Sequence, residues 1–458
     1  MNTSRREFLG AAAGVGLALQ FGTTMGTRSS AGIAFANPVA PDPNNPNDPN
    51  AITDPDHEIG KPYVGWKEGE LDLNFIHTGV GENAFHIFPD GTTMLLDAGD
   101  WNTLTYKDGV EKLPSAERHA GEWIARYVGR VRPDVKKIDY LVATHYHPDH
   151  VGDQTLDVPE KGSAPDEDYK LTGIPEVGEF YRFGTAFDRD YPRYAFQREK
   201  RTNIRDNLRK YLEYAAARQG LRREEFRPGA LDQLRLLNAP EEYDFHVRNV
   251  CCNGRVWRGV GNEVDDCYEL YPKTLERNCR ENTPSIGLLF RYGAFRFFTG
   301  GDVMGKIYVD DENLFEYESV VGRAVGPVDV CKANHHAYRN AMAPEFEKAV
   351  QARVYVVFAW NDSHLSDSAA AAMVDYSGSD DPDFPLLCPT RLSPEKLAAT
   401  ASRPWRRNTV DVGGHVVVKA FDGGARYQVY YLEDQDESMT VKATFGPYKS
   451  RGDKTTPR

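Results

Sequence analysis

Apolar residues follow two spacings along the chain, and each spacing predicts a different element. Leu71, Leu73 and Phe75 lie two residues apart, which is the spacing of one face of a strand. Short apolar runs predict further strands at 84–88, 93–97, 138–143, 285–290, 295–299, 328–333 and 354–359. Spacings of three and four residues predict helices at 115–129, 204–215, 344–351 and 394–402. Strands that alternate with helices indicate an α/β fold.

The stretch of residues 155–280 interrupts this pattern. It is charged and aromatic, and it contains a single clear amphipathic helix, closed by Gly220. We interpret it as a largely helical or irregular insertion in a domain that spans residues 67–435. A linker rich in proline and asparagine is expected at 37–66, and a C-terminal tail at 436–458.

The N-terminal residues 1–36 have the features of an export signal. Arg5 and Arg6 precede a weakly apolar stretch at 11–21, and residues 34–36 fit a small-x-small cleavage site. This pattern predicts a twin-arginine signal peptide and therefore a periplasmic or extracellular protein that is exported already folded. No uncharged apolar run reaches the roughly 18 residues of a membrane-spanning helix, so no span is expected after cleavage.

Composition excludes a disordered chain, and charge argues against one kind of partner. Hydrophobic residues make up 40% of the 458 residues, which is enough for a sizeable core, so a mostly disordered chain is excluded. The chain has 55 Lys+Arg against 68 Asp+Glu, a formal net charge of −13. Broad binding to a nucleic-acid backbone needs a basic surface, so nucleic acid is not the expected partner unless a basic site is local.

Four of the six cysteines lie close together in the sequence, at Cys251, Cys252, Cys267 and Cys279. An exported protein can keep disulfides, so we expect one or two structural bridges among these four. Free thiols and a zinc knuckle are the alternatives. The absence of a C-x-x-C pair argues against the knuckle.

A group of metal-ligand residue types directly follows the predicted strand 138–143. His145, His147, Asp149 and His150 occupy four of six consecutive positions on a turn. Imidazole nitrogens and carboxylate oxygens are the ligands of zinc. Because His145 and His147 are alternate residues, they can face one metal ion, while Asp149 and His150 can turn to a second.

Polar residues of the same types end later predicted strands. Asp302 follows two glycines at a strand end, where a carboxylate can bridge two metal ions. His335 and His336 lie together at the end of the next strand. His364 also follows a strand and is a candidate substrate contact, with an ordinary loop histidine as the alternative.

The H-x-H-x-D-H pattern resembles the signature of the metallo-β-lactamase-fold hydrolases. Within that superfamily, the chain looks most like the branch that contains the hydrolase domain of bacterial DNA-uptake channel proteins and the phosphorylcholine esterases of teichoic acid. The resemblance covers about residues 70–160 and 281–431. It rests on the segments 72–83, 95–100, 144–152, 282–285, 299–302 and 332–336.

This resemblance implies a four-layer αββα sandwich that holds two zinc ions, with manganese or iron as alternatives. The implied ligands are, for the first ion, His145, His147 and Asp302, and, for the second ion, Asp149, His150, Asp302 and either His335 or His336. The implied catalytic residues are Asp149, Asp302 and His336. Asp97 matches the aspartate that orients a ligand histidine, with a plain strand-end turn residue as the alternative.

Several positions depart from the pattern of that branch. His77, Val80 and Glu82 stand where the branch has aspartate, glutamine and aspartate, and Ala337 replaces a glycine after the last histidine pair. A further histidine that other members place between the first cluster and Asp302 has no evident match. The third protein ligand of the first zinc is therefore open.

The expected function is that of an exported dinuclear zinc hydrolase that uses a metal-bound hydroxide on a phosphodiester or related ester. Zinc lowers the pKa of bound water to about 7, so no serine or cysteine nucleophile is needed. The substrate is expected to be a small molecule or a component of the cell envelope. The alternatives are an extracytoplasmic nuclease, a hydrolase of lactones, thioesters or β-lactams, and a non-catalytic metal-binding protein of the same fold.

Overall fold

Short strands dominate the computed structural model, which describes residues 58–101, 110–162, 167–194, 202–270, 280–308, 314–377 and 384–452. The signal peptide predicted at 1–36 and most of the predicted linker lie outside these residues. Numbered along the chain, the described strands are β1 Leu71–Phe75, β2 Asn83–Ile87, β3 Thr93–Ala98, β4 Lys137–Ala143, β5 Glu160–Lys161, β6 Tyr169–Lys170, β7 Arg182–Asp188, β8 Arg222–Arg223, β9 Phe245–Cys252, β10 Arg255–Trp257, β11 Val264–Asp266, β12 Gly287–Tyr292, β13 Phe295–Thr299, β14 Lys306–Tyr308, β15 Leu314–Glu316, β16 Val330–Lys332, β17 Val354–Val357, β18 Leu386–Pro389, β19 His415–Phe421, β20 Arg426–Leu432 and β21 Val441–Lys449.

Most of these strands join one of two sheets. The first sheet has nine strands in the order β21-β20-β19-β1-β2-β3-β4-β7-β8, and the second has eight in the order β11-β10-β9-β12-β13-β16-β17-β18. In the first sheet β4 lies parallel to β3 and β7, and in the second β16 lies parallel to β13 and β17. Parallel neighbours bring their carboxyl ends to one edge of a sheet, where α/β proteins place their sites.

Helices cover the outer face of each sheet. Among the described residues they are α1 Ala120–Val131, α2 Pro148–Val151, α3 Ile174–Phe180, α4 Thr202–Gln219, α5 Cys267–Leu270, α6 Tyr317–Val325, α7 Pro344–Val350, α8 Asp367–Tyr376 and α9 Pro394–Thr400. Apolar residues of α1, α3 and α4 pack on the nine-stranded sheet, and those of α6, α7 and α8 pack on the eight-stranded sheet. The layers are therefore helix, sheet, sheet and helix, which confirms the predicted α/β sandwich. Across the described residues, no helix combines the length and apolar character that crossing a membrane requires.

The core between the sheets is built from the alternate residues that predicted the strands. Leu71, Leu73 and Phe75 all face this core, and the Phe75 ring lies 5.8 Å from that of Phe297 in the opposite sheet. His86 stands edge-on to an aromatic ring of the same core, and burial lowers the pKa of His86 to about 3. It is therefore a neutral packing residue. Each fully buried large side chain stabilises the fold by about 1.5–3 kcal/mol.

The stretch 155–280 differs from the predicted insertion, because it supplies strands to both sheets. β7 pairs in parallel with β4, and β9 pairs antiparallel with β12. The apolar residues of β7 are interrupted by arginine, glycine and threonine, so no continuous apolar run reveals the strand in the sequence. Its neighbours in the sheet, rather than its own hydrophobicity, stabilise it.

The segment 436–458 also differs from the predicted tail. Val441–Lys449 forms β21, which pairs antiparallel with β20 at the edge of the nine-stranded sheet. The sequence of this strand contains a Gly-Pro pair, which an edge strand tolerates because one side of its backbone has no partner strand. The domain therefore extends beyond residue 435.

The cysteines correct the prediction of disulfides. Cys251, Cys252 and Cys267 are free and buried, and Cys279 lies outside the described residues. Neighbouring residues of a strand point to opposite faces. Accordingly, Cys252 belongs to the core between the sheets, and Cys251 belongs to the core under the outer helices. Oxidation is not needed to hold this region together.

Candidate metal centre

Three loops that follow parallel strands meet at one edge of the sandwich and carry the predicted site residues. The loop after β4 carries the H-x-H-x-D-H turn, the loop after β13 carries Asp302, and the loop after β16 carries the histidine pair. Gly301 has a φ of +52°, and a Cβ built there would lie 2.9 Å from the side chain of Thr144. Glycine therefore allows the second loop to approach the first.

The carboxylate of Asp302 lies between two pairs of histidines. Its Oδ2 is 3.7 Å from His145 Nε2 and 3.8 Å from His335 Nε2. Its Oδ1 is 3.3 Å from His150 Nε2 and 3.4 Å from His336 Nε2. Each oxygen thus faces a different pair of imidazoles, which is the placement that a carboxylate bridging two metal ions needs.

Two compact groups of ligand atoms share this aspartate. In each group the ligand atoms all lie within 4.8 Å of one another; the first group is His145, His147 and Asp302, and the second is Glu82, His150, Asp302 and His336. Asp149, which was predicted in the second group, lies beside it, with its Oδ2 3.4 Å from His336 Nε2. The structure therefore brings together all seven predicted metal ligands and adds Glu82.

The adjacent histidines, which sequence reasoning left interchangeable, occupy different places. His336 is buried inside the second group. His335 lies on the side of the first group, where its side chain is 17% exposed. Its Nδ1 bonds Asn340 Oδ1 at 2.7 Å, and its Nε2 lies 2.9 Å from Asn282 Nδ2. The sequence left the third protein ligand of the first ion unassigned, and His335 lies beside the first group on that side.

Sequence reasoning named Glu82 only as a position that departs from the pattern of the branch, and the structure places it in the second group. Its Oε2 is 3.8 Å from His336 Nδ1 and accepts a hydrogen bond from Lys332 Nζ at 2.8 Å. Lys332 also donates to the backbone oxygen of Gly301 at 2.7 Å, and both charged side chains are buried. The sequence contained a signal for this pair, because Glu82 and Lys332 both lie in segments on which the family resemblance rests.

Asp97 holds one ligand histidine in a single orientation. Its Oδ2 is 2.7 Å from His150 Nδ1, and its carboxylate also accepts bonds from the backbone and hydroxyl of Thr144 at 2.7 and 2.6 Å. The Nε2 of His150 is thereby directed at Asp302. Asp97 has a φ of +56°, an uncommon conformation outside glycine that proteins retain mostly at functional sites.

The turn that carries the histidine pair is strained. His335, His336 and Ala337 have φ values of 44°, 54° and 53°, so three successive residues are left-handed. Each such residue costs about 1–2 kcal/mol relative to the right-handed form. Buried Glu318 supports the turn by accepting a bond from Asn334 Nδ2 at 2.8 Å. The strained conformation of this turn places His336 Nε2 3.4 Å from Asp302 Oδ1.

The charges of the site oppose the effect of burial. Burial alone would lower the pKa of His336, but Asp302 and Asp149 raise it to about 9. Burial would raise the pKa of Asp302, but His336 and His150 hold it well below its usual value. Burial, together with the charge of His150, lowers the pKa of His145 well below its usual value. The site is thus a balance of carboxylates and imidazoles in which a cation can replace protons.

The donor set fits metal ions because its buried atoms lack other partners. Six atoms of the second group and of Asp149 are buried without a hydrogen-bond partner among the described residues: Glu82 Oε1, Asp149 Oδ1, His150 Nε2, Asp302 Oδ1, His336 Nδ1 and His336 Nε2. An unsatisfied buried polar atom costs about 1–3 kcal/mol. Oxygen and imidazole nitrogen that converge in this way are ligands for zinc, manganese or iron.

His364 packs behind the second group. Its ring stacks on that of His336 with centroids 4.9 Å apart, and the Trp360 ring contacts both at 4.3 Å. Burial, and then the charge of His336, lowers the pKa of His364 well below its usual value, so its imidazole is neutral. His364 therefore limits the positions that His336 can take, and contact with substrate stays a prediction.

Arg189, from the stretch that was predicted to be an insertion, and Glu281, directly after that stretch, hold the H-x-H-x-D-H turn. Arg189 forms two 2.7 Å bonds to Glu281, and Glu281 Oε1 accepts the backbone N–H of Tyr146 at 2.9 Å. Tyr146 lies between His145 and His147, and its ring lies 4.4 Å below the guanidinium of Arg189. Sequence reasoning missed this clamp, because nothing local in the stretch 155–280 indicates it.

The sandwich and the shared aspartate define a candidate metal centre at the edge of the paired sheets, where two groups of ligand atoms could each hold an ion. Residues 77–156 match the family model described as the metallo-beta-lactamase superfamily, and this match covers the H-x-H-x-D-H turn. No curated protein matches. A mutant of the β-hydroxylase CmlA is similar at 13% identity and a TM-score of 0.35, over 68% of this chain and 51% of that one. A protein of unknown function from Enterococcus faecalis is similar at 9% identity and a TM-score of 0.26, over 57% and 49%. The chain thus spans about half the length of these solved structures.

Proposed function

We propose that the protein is an exported dinuclear metallohydrolase that acts on a phosphodiester or a related ester. The observation that carries the proposal is the placement of Asp302, whose two oxygens face two separate histidine pairs. A purely structural zinc site is closed and has four ligands around one ion. A pair of ion sites that share one carboxylate is the arrangement of hydrolytic centres.

The ligands of each ion follow from the two groups. His145, His147 and Asp302 would hold the first ion, with His335 beside them, and His150, His336 and Asp302 would hold the second, with Asp149 and Glu82 beside them. When bound, two divalent ions supply Lewis-acid polarisation of the ester and a water of lowered pKa.

The side chains around the ions supply orientation and access. Asp97 fixes His150, and His364 with Trp360 fixes His336. His147 and His335 are the least buried of the histidine ligands, so substrate reaches the centre from their side. Asp149 Oδ1, without a hydrogen-bond partner among the described residues, is placed to accept a proton from a water molecule.

Zinc is the proposed metal, since imidazole and carboxylate are its usual ligands, and manganese and iron take the same donors. Export by the twin-arginine route is proposed from residues 1–36 alone. A small-molecule or cell-envelope ester is preferred over nucleic acid as substrate because the chain carries a net charge of −13.

The test combines metal content with turnover of bis-p-nitrophenyl phosphate on the purified protein. About two metal ions per chain and turnover that Asp302→Ala abolishes would support the proposal. Asp375→Ala is the matched control, because Asp375 is an exposed aspartate of helix α8. Two ions without turnover would contradict the phosphodiester preference and favour lactones or thioesters. No bound ion after reconstitution would overturn the hydrolase and favour a binding protein.

A further inference from the structure

An open cleft of about 510 Å³ lies beside the candidate metal centre. Tyr338 lines the cleft, and its ring centroid is 5.4 Å from that of His335. Ser363 also lines the cleft and directly precedes His364, which stacks on His336. A ring contact, through Tyr338, and a chain neighbour, Ser363, therefore link this cleft to the histidines of the metal centre.

Four of the charged side chains that line the cleft are held in place by bonds within its wall. Arg403 Nη2 lies 2.9 Å from Asp367 Oδ2. Lys396 Nζ donates to the backbone oxygen of Asp362 at 2.9 Å, and the carboxylate of Asp362 accepts the hydroxyl of Ser393 at 2.5 Å. These bonds fix the side chains that form the wall of the cleft, and Arg403 is neutralised by Asp367.

Arg339 is the exception on the side nearest the metal centre. Its guanidinium carbon lies 5.4 Å from the centroid of the Tyr338 ring, and the side chain is exposed. Within the described residues, Arg339 makes no ion pair. The backbone beneath it is fixed, because Tyr338 N–H donates to the oxygen of His335 at 2.8 Å. A guanidinium held on an aromatic face keeps its outward N–H groups free for a carboxylate.

We infer that this cleft binds the part of the substrate that lies beyond the scissile ester, and that Arg339 binds a carboxylate on that part. The inference rests on the proposed function and names its substrate class, an ester whose distal group carries one negative charge. A single charge is favoured because, of the two guanidinium groups that line the cleft, Arg403 is paired with Asp367, while Glu395 lines the same cleft as an exposed carboxylate. A dianionic phosphate would meet that repulsion with one cation only.

The test compares two diesters that differ by one group, p-nitrophenyl phenyl phosphate and p-nitrophenyl 4-carboxyphenyl phosphate. The protein is expected to prefer the carboxylated diester by about 10-fold in KM at low ionic strength, with kcat unchanged, because the charge-assisted bond is made equally before and during the reaction. Added salt should reduce the preference, since the site is exposed. Arg339→Gln should abolish the preference by raising the KM of the carboxylated diester to that of p-nitrophenyl phenyl phosphate, and Arg339→Lys should keep part of the preference.

Arg255→Gln is the matched control. Arg255 is an exposed arginine on β10, which lies next to the edge strand β11 of the eight-stranded sheet. Calorimetry with the metal-free protein separates the inference from the proposed function, since it needs no turnover. Tighter binding of the carboxylated diester that Arg339→Gln removes would support the inference even if no ester is hydrolysed. Equal KM and equal affinity for the two diesters would overturn the inference while leaving the hydrolase intact. No turnover and no binding of either diester would overturn both.

Discussion

The ion pair between Arg189 and Glu281 should stabilise both the fold and the metal centre. We expect Glu281→Ala to lower the free energy of unfolding by about 3 kcal/mol. The two side chains are only 1% and 10% exposed, and their bonded atoms lie 2.7 Å apart. Burial alone would lower the pKa of Arg189, but the charge of Glu281 raises it above its usual value. Removing the carboxylate therefore leaves a buried cation that has lost its main partner.

The magnitude follows from the geometry. Opposite charges centred about 4 Å apart attract by about 4 kcal/mol at an effective dielectric constant of 20. Breaking a buried pair by removing one partner costs about 3–5 kcal/mol. Arg189 keeps contacts with Asp190 at 3.6 Å and with Asn253 at 3.4 Å, so the lower end of that range applies.

The same substitution should weaken metal binding. Glu281 accepts the backbone N–H of Tyr146, so its loss loosens the turn that holds His145 and His147. Loss of a group that orients metal ligands costs about 10–100-fold in metal affinity. Competition with a chelator measures this affinity, and urea unfolding of the metal-free protein measures the stability separately.

Two further variants make the reasoning refutable. Asp232→Ala breaks the exposed pair between Asp232 and Arg227 and should change stability by less than about 0.5 kcal/mol. The double variant Arg189→Met/Glu281→Leu should regain at least half of the loss, because an apolar pair replaces a buried ion pair at little cost. Wild-type stability of Glu281→Ala, or a double variant less stable than the single one, would refute the argument.

Three other predictions address the site, the pH dependence of stability and the thiols. Asp97→Asn should reduce metal affinity about 10–100-fold in chelator competition, because the carboxylate charge beside His150 Nδ1 is lost. The circular dichroism spectrum should stay unchanged, since the side-chain volume is kept. Unchanged metal affinity would contradict this role of Asp97. Burial raises the pKa of Glu318 to about 7, so the folded protein binds this proton more tightly than the unfolded chain does, and stability should fall by roughly 3 kcal/mol as pH rises from about 4.5 to about 7. Urea unfolding at pH 5 and pH 8 should show this fall in the wild type relative to Glu318→Gln, and a constant difference between the two proteins would count against it. Cys251 and Cys252 are buried, and burial raises the pKa of both thiols, so a thiol reagent should label them only after unfolding; labelling in the native protein would contradict their packing.

The local part of the site could be predicted because its chemistry is contiguous. The H-x-H-x-D-H turn follows a readable apolar strand, β4, and places four ligand types within six residues. Asp302 and the histidine pair also follow apolar strands, β13 and β16. Parallel strands deliver such residues to one edge, so their convergence follows from the strand pattern.

The rest of the site depends on contacts between distant parts of the chain. Glu82 and Lys332 bond each other although they are 250 residues apart in the sequence. β7 and β9 are strands because β4 and β12 lie beside them, while their own sequences are mixed. Sequence periodicity reports the burial of one face, and it carries no information about which distant strand provides the hydrogen bonds.

The strained turn and the unsatisfied atoms of the site together imply that metal binding and folding are coupled. His335, His336 and Ala337 are left-handed, and Glu318 supports the turn that carries them. The buried carboxylates and imidazoles of the site face one another at 3.3–3.4 Å, and their mutual attraction offsets only part of the cost of burying them. Ions that bind this site in the folded protein, and not the unfolded chain, add stability that rises with the logarithm of the free metal concentration. The same arrangement that points two histidine pairs at Asp302 therefore makes the metal ions part of what holds the fold together.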